Sequence, residues 1–357
     1  MTEPLCLSVI VPVYNAKNYL QRCIDNLLDQ DFKKSYEVIF VDDASTDNSL
    51  EIILKKKSDL IKILRIHKNS GPASARNEGL KIAKGEFVYF MDVDDTITKD
   101  CLSLMFIEAK KFNFDIVISD KKNILGSKNY RENNFLYQND KTFDENEITE
   151  QLKKRLYNPL YNDGLVGVTG KLFKKSIIKS NNLFFQKDWR YLEDEVFSYD
   201  FLSFCKKAKY IRKQLYCYHI YENVSTGISA GIEEGFKISN FIITKKSVYR
   251  CFKKRGLTIQ ECEKLANHAL IYYVIGLLIS YSRSIILKKS KTKGKMIRKK
   301  LIEDIIKDKD ITNAAKNYIC SKNENRWIPI AINLRMGKIL EILCHFRAKE
   351  IIKIRQK

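Results

Sequence analysis

An α/β fold with a mostly parallel sheet, followed by a basic helical region, is predicted by three observations. Short apolar runs alternate with amphipathic ones from residue 7 to residue 120. The polar residues that interrupt this pattern fall where the apolar runs end. Charge is unevenly divided: after residue 226, 29 Lys and Arg stand against 11 Asp and Glu, whereas before it the numbers are 35 and 32. At 357 residues the chain is long for one core. The charge asymmetry therefore suggests two domains, residues 1–226 and a basic, mainly helical 227–357.

The strand-like runs are LSVIVPV (7–13), YEVIFVD (36–42), IKILRIH (61–67), EFVYFMD (86–92) and FDIVISD (114–120). Their lengths suit strands, and the segments between them, near 17–30, 46–57, 73–84 and 99–112, have helical periodicity. Ser45 or Thr46 is positioned to cap the second helix, with Asp47 in its first turn. Such alternation implies helices on both faces of the sheet, with ligands bound beyond the carboxyl ends of the strands. Those ends carry PVYN (12–15), DDAS (42–45), NSGPASARN (69–77) and DVDD (92–95), so four polar endings converge on one edge.

A dinucleotide site would need glycines in the first strand–helix turn, and YNAKNY has none. The cluster Asp92, Asp94 and Asp95 sets three like charges directly after a buried strand, where each disfavours ionisation of the next. A divalent cation carrying a diphosphate, Mg2+ or Mn2+, would supply the missing positive charge. Asp92 and Asp94 are alternate residues, which in an extended segment point the same way.

The stretches SVIVPVYNAKNYLQRCIDNLLDQDF, EVIFVDDASTDNS, NSGPASARNEGLKIAKGEFVYFMDVDD and YLEDEVF together resemble a family 2 glycosyltransferase, an inverting enzyme of the GT-A (Rossmann-like) fold, over roughly residues 7–226. The resemblance implies roles. Pro12 and Tyr14, with Asn15 beside them, line the nucleotide base, and Asp43 binds the uracil edge. Arg76 stands near the base and phosphates. Asp92 and Asp94 match the DxD motif, the first reaching ribose or sugar and the second the metal, while Asp95 supports the loop. Asp194, in WRYLEDEVFSYDFL (189–202), matches the catalytic base. His219, in LYCYHIYENVST (215–226), stands where an arginine is common and would meet the diphosphate or metal. The implied reaction moves a hexose or N-acetylhexosamine from a UDP-sugar to a hydroxyl of a surface polysaccharide, teichoic acid or lipooligosaccharide, on a glycan or lipid-linked glycan acceptor. The acceptor site is expected within residues 121–170. A metal-dependent nucleotidyltransferase and a non-catalytic nucleotide-sugar-binding or scaffold protein are the competing readings. The first leaves the LEDE segment without a role, and the second leaves both carboxylate sets idle.

Nine cysteines with no CxxC pair fit buried thiols in a reducing cytoplasm. Glu3 and the early Pro12 argue against a signal peptide, and the apolar run 269–282 falls short of a bilayer span. KKSKTKGKMIRKK (288–300) is too charged for a core. The final NLRMGKILEILCHFRAKEIIKIRQK interleaves apolar and basic residues at helical spacing, as a helix lying on the inner face of an anionic membrane would, or one that forms a homo-oligomer. No motif for binding nucleic acid is visible, and none is expected to bind.

Overall fold

The computed structural model describes residues 5–56, 58–125, 128–129, 135–158, 162–187, 189, 191–221, 237–287, 293–321 and 324–356. The chain divides into two compact units, the first made of 1–148, 163–189 and 193–224, the second of 149–162, 190–192 and 225–357. The expected cut at 226 falls outside the described residues, and the second unit also takes in 149–162.

The first unit is built on a ten-stranded sheet. Its elements in chain order are β1 (Leu7–Val13), α1 (Lys17–Leu28), β2 (Tyr36–Asp43), α2 (Ser49–Lys55), β3 (Ile61–Ile66), α3 (Gly71–Ile82), β4 (Phe87–Phe90), β5 (Thr96–Ile97), α4 (Cys101–Lys111), β6 (Ile116–Leu125), β7 (Lys128–Asn129), β8 (Lys141–Phe143), α5 (Glu145–Tyr157, whose later turns belong to the second unit), β9 (Lys171–Lys174), α6 (Lys175–Ser180), α7 (Glu193–Leu202) and β10 (Ala208–Ile220). The sheet runs β3-β2-β1-β4-β9-β6-β10-β5, with β7 on β6 and β8 on β10. β3, β2, β1 and β4 are parallel, as expected. β9 then enters antiparallel between β4 and β6, while β6 and β10 pair parallel, so the sheet is mixed beyond its first four strands.

β1 and β2 are buried along nearly their whole length, which is why they read as continuous apolar runs. Helix α1 buries Leu20, Cys23, Ile24 and Leu27, one stripe at helical spacing, each large aliphatic worth about 2 kcal/mol of transfer free energy. Helix α3 lies close on β1 because Gly79 faces Ile10. A Cβ there would fall 2.5 Å from Ile10 Cγ2, so only glycine allows this approach.

The second unit contains the helices Ile238–Lys254, Ile259–Ile286, Lys293–Lys307, Lys309–Lys316, Trp327–Asn333 and Gly337–Gln356. Thr258 and Glu261 form a reciprocal capping box at the start of the 28-residue helix. That helix extends well past the 269–282 run, and by length and composition it is long enough to cross a membrane, although over half of its apolar window is buried within the protein. The basic 288–300 stretch also departs from expectation. Residues 288–292 lie outside the described residues, and Arg298 is buried, donating to Ser282 Oγ (3.1 Å) and pairing with Glu341.

Candidate active site

The loops after β1 and β2 are stitched together. Asn15, in the left-handed region at φ 48°, accepts from Thr46 N (2.8 Å), and its own N–H donates to Ser45 Oγ (3.0 Å). Ala16 N donates to Ser49 Oγ (2.8 Å). Ser45 and Thr46 are thus spent on cross-loop bonds, and α2 starts at Ser49 with Asn48 as its N-cap residue, later than expected. Pro12 is half-buried and Tyr14 stands 44% exposed on the same edge. Asp43 is buried, and its two oxygens accept from Ser70 N (2.8 Å) and Gly71 N (2.7 Å) at the start of α3. These amides are among the donors a helix N-terminus leaves unsatisfied.

Helix α3 carries Arg76 inward. Its buried guanidinium bonds Asp92 Oδ1 at 2.9 Å and Glu193 Oε1 at 3.5 Å, and lies 5.4 Å over the Phe185 ring. One cation, 117 residues before Glu193 in the chain, thus joins the DVDD turn to the LEDE segment. DVDD itself is a turn closed by Asp95 N to Asp92 O (3.1 Å), which replaces the expected extended geometry. Asp95 is fully buried and supports the loop, accepting from Tyr216 OH (2.5 Å) and His219 N (2.9 Å). Tyr216 OH in turn accepts from Asp92 N (3.3 Å). Burial and the charge of Asp92 raise Asp94 to a pKa of about 6, against the opposing pull of Arg22.

His219 is half-buried and bonded through both ring nitrogens. Arg22 Nη1 donates to its Nδ1 (3.3 Å), so Nε2 carries the proton and donates to Thr96 Oγ1 (2.9 Å). Burial and the charge of Arg22 depress its pKa to about 4, leaving a neutral ring. The cation beside Asp94 is Arg22, which donates to the Asp94 carbonyl (2.5 Å) and to Tyr221 OH (2.6 Å). Sequence reasoning missed it, because an arginine on the polar face of an amphipathic helix carries no signal of its own.

Helix α7 presents Asp194. It is fixed by a cluster of aromatic rings beneath it. Phe197 stacks on Phe185 (4.1 Å, 2° between planes) and meets Phe90 (5.7 Å) and Phe173 (5.8 Å) edge-on. Asp194 Oδ1 accepts from Glu195 N (2.9 Å), and Oδ2 lies 4.0 Å from where a Cβ on Gly167 (φ 94°) would sit. The buried Lys171 ammonium is 3.6 Å from that same point. Glu193 is pushed up by burial and by the negative charge of Asp194, with Arg76 opposing. Lys121, on β6, bonds Thr169 Oγ1 (2.5 Å) and lies 5.6 Å over the Tyr216 ring. Burial lowers its pKa while Asp92, Asp194 and Asp95 act the other way, so it sits within electrostatic reach of both carboxylate sets. Lys121 directly follows FDIVISD, and the rule that polar strand ends form the site would have found it.

The structure therefore gathers Arg76, Asp92, Asp94, Glu193, Asp194, Lys121 and Arg22 into one constellation, with Pro12, Tyr14, Asn15 and Asp43 on the neighbouring loops. Among the described residues no group of three or more His, Cys, Asp or Glu is arranged to hold a metal ion by itself.

The family model for glycosyl transferase family 2 matches residues 8–181. The poly(ribitol-phosphate) beta-N-acetylglucosaminyltransferase TarP of Staphylococcus aureus is 32% identical over 269 residues, which are 74% of this chain and 73% of that protein. The poly(ribitol-phosphate) beta-glucosyltransferase of Bacillus spizizenii is 33% identical over 201 residues, 54% of this chain, and the match covers only 28% of that relative's length. The crystal structure of S. aureus TarS 1–349 in complex with UDP-GlcNAc shares the fold, with a TM-score of 0.70 and 20% identity over 97% of this chain and 92% of that one.

Proposed function

This chain belongs to glycosyl transferase family 2, and from that premise we propose that it transfers a hexose or N-acetylhexosamine from a UDP-sugar, with inversion, to a hydroxyl of a surface glycan. The names of its relatives favour a polyol-phosphate polymer as acceptor. The observation that carries the reading is the Arg76 bridge, which holds the DVDD turn against the segment bearing Asp194. In this reading the acceptor oxygen attacks the sugar's anomeric carbon as the bond to the diphosphate breaks, and Asp194 takes the hydroxyl proton. Arg22 and Lys121 supply positive charge where the leaving group's negative charge grows. Pro12, Tyr14 and Asn15 flank the base, and Asp43 stands at the same edge, where the uracil would sit.

The residues fit a divalent cation. Asp94 is a half-buried carboxyl whose pKa is raised by burial and by the charge of Asp92, two residues away, with Arg22 offsetting only part of that, so a further cation would be welcome there. A site of one or two carboxylates completed by phosphate and water is the usual form for Mg2+ or Mn2+ at a nucleotide. Asp94, with Asp92, would hold the ion, and its chemistry would be Lewis-acid neutralisation of the departing UDP. The test is a thermal-shift titration of UDP, GDP and NAD, each with Mn2+ and with EDTA. A UDP shift that requires Mn2+ supports the reading, and a shift with GDP or NAD alone would overturn the donor assignment.

A peripheral position on an anionic membrane, facing the cytoplasm, is the second part of the proposal, and cysteines that form no disulfide among the described residues fit that compartment. Its support is in the last two helices. Trp327, Ile330 and Leu334 form one exposed stripe, and Ile339, Ile342 and Phe346 form another, opposite the buried Leu340, Cys344 and Ala348. From residue 324 to 353 every acid is engaged: Glu324 by Tyr318, Glu341 by Arg298 and Glu350 by Arg347. Arg326, Arg335, Lys338, Lys349 and Lys353 make no ion pair among the described residues. Apolar and aromatic side chains set among free cations suit an anionic lipid surface better than a second copy of the same positive face.

A further inference from the structure

A cavity of about 630 Å³ opens in the first unit between the end of α3, helix α6 and the segment 182–187. Its floor is apolar, with Ile178 and the half-exposed Phe184, and its rim carries Lys81, Lys175, Lys179 and Lys187 with no carboxylate among the lining residues. Lys81 is paired with Glu78 (2.6 Å), and Lys175 donates to Ala83 O (2.9 Å). The ammonium groups of Lys179 and Lys187 make no ion pair or hydrogen bond among the described residues. Lys175 and Lys179 are four residues apart on one short helix, a mildly repulsive like-charge spacing that a bound anion would relieve, although Glu37 already acts on Lys175.

The cavity shares a wall with the catalytic constellation. Asn77 lines it and clamps the Phe185 backbone through two bonds of 2.8 Å. Consecutive residues then face opposite ways: Phe184 lines the cavity, while Phe185 packs beneath Arg76 and on Phe197 of the helix that bears Asp194. Along α3, Lys81 stands five residues past Arg76, roughly 7–8 Å of helix rise. A polymer whose end reacts at Asp194 needs only a few repeats to reach the lysines.

Resting on the function proposed above, we propose that this cavity is a second acceptor subsite, which holds a phosphodiester-bearing stretch of the polyol-phosphate chain some repeats away from the reacting hydroxyl. The lysines take the phosphates as spaced point charges, and Phe184 and Ile178 carry the carbon backbone of the polyol. The subsite makes the enzyme prefer long acceptors to short ones without touching the donor.

The experiment uses the full chain with fluorescent ribitol-phosphate oligomers of one and eight units, and compares wild type with Lys179→Glu/Lys187→Glu and the milder Lys179→Ala/Lys187→Ala. The expected result is a rise of at least tenfold in both Kd and KM for the eight-unit oligomer in the charge-reversed protein, a smaller rise in the alanine protein, and no change in KM for the one-unit acceptor or for the donor. Unchanged eight-unit affinity in both variants, or no eight-unit binding by the wild type, overturns the proposal. Displacement of the oligomer by phosphatidylglycerol vesicles at equal phosphate would assign the cavity to lipid and also overturn it. Eight-unit binding that depends on the lysines, in a protein that transfers no sugar to any oligomer, would keep the subsite and reject the activity instead.

Discussion

Asp194→Asn should cripple transfer and shift the balance of the protein's stability from pH 5 toward pH 8. The asparagine is nearly isosteric, and its amide oxygen still accepts from Glu195 N, so α7 keeps its first turn. Loss of a general base costs about 10²–10⁴-fold in rate, so kcat should fall by that order while the Kd for UDP stays within twofold. The stability effect comes from the neighbouring residue. Glu193 is buried, and its pKa is raised by burial and by the Asp194 charge. A carboxyl whose folded pKa lies above its unfolded one loses stability as pH climbs from the unfolded value through the folded one. Removing the Asp194 charge brings Glu193 back toward its ordinary pKa. That relieves strain at pH 8, where Glu193 is ionised, and not at pH 5, where the folded protein keeps it protonated. A neighbour worth one pKa unit is worth about 1.4 kcal/mol. With about 2–4 °C per kcal/mol for a domain of this size, each pKa unit that Asp194 adds to Glu193 is worth roughly 3–6 °C in Tm at pH 8 relative to pH 5. UDP-release kinetics and scanning calorimetry at the two pH values read both effects. Turnover within threefold of wild type would remove Asp194 from the chemistry, and an equal Tm gain at pH 5 would refute the electrostatic account.

Three further outcomes are expected. Because the Asp94 pKa is raised to about 6 and a metal requires the deprotonated carboxylate, Mn2+-dependent UDP binding should weaken as pH falls below about 6; a flat Kd from pH 5 to 8 by calorimetry would count against Asp94 as a ligand. Tyr216→Phe removes the donor to buried Asp95 and the acceptor of Asp92 N, and should cost about 1–3 kcal/mol in urea denaturation, while a loss below about 0.5 kcal/mol would show that these bonds are replaceable. In flotation with phosphatidylglycerol vesicles, Trp327→Glu/Phe346→Glu should sink while wild type floats, and neither should float with purely zwitterionic lipid; equal flotation of both proteins would refute attachment through this face.

Local chemistry made much of the first unit legible. β1 and α1 began where their patterns did, and β2 and β3 ended within one residue of expectation, because a buried parallel strand is apolar at every position. What local chemistry does not encode is who sits beside whom. β9 pairs antiparallel with β4 and β6, and nothing in KLFK announces that insertion. Ser45 and Thr46 have the composition of helix caps, yet their partners lie on the preceding loop, 30 residues earlier. His219 was expected to face the diphosphate. Its nitrogens accept from Arg22 and donate to Thr96, 197 and 123 residues away, and Arg22 also stands beside Asp94.

Asp43 constrains how this site can change. The carboxylate proposed to read the nucleobase also holds the first amides of the helix that aims Arg76 between Asp92 and Glu193. A mutation there would alter donor choice and unsettle the catalytic scaffold in the same step, so that path to a new donor is closed in a single move. Tyr14, proposed to flank the base and 44% exposed, takes no part in that bracing, so a shift of base preference is expected to begin there.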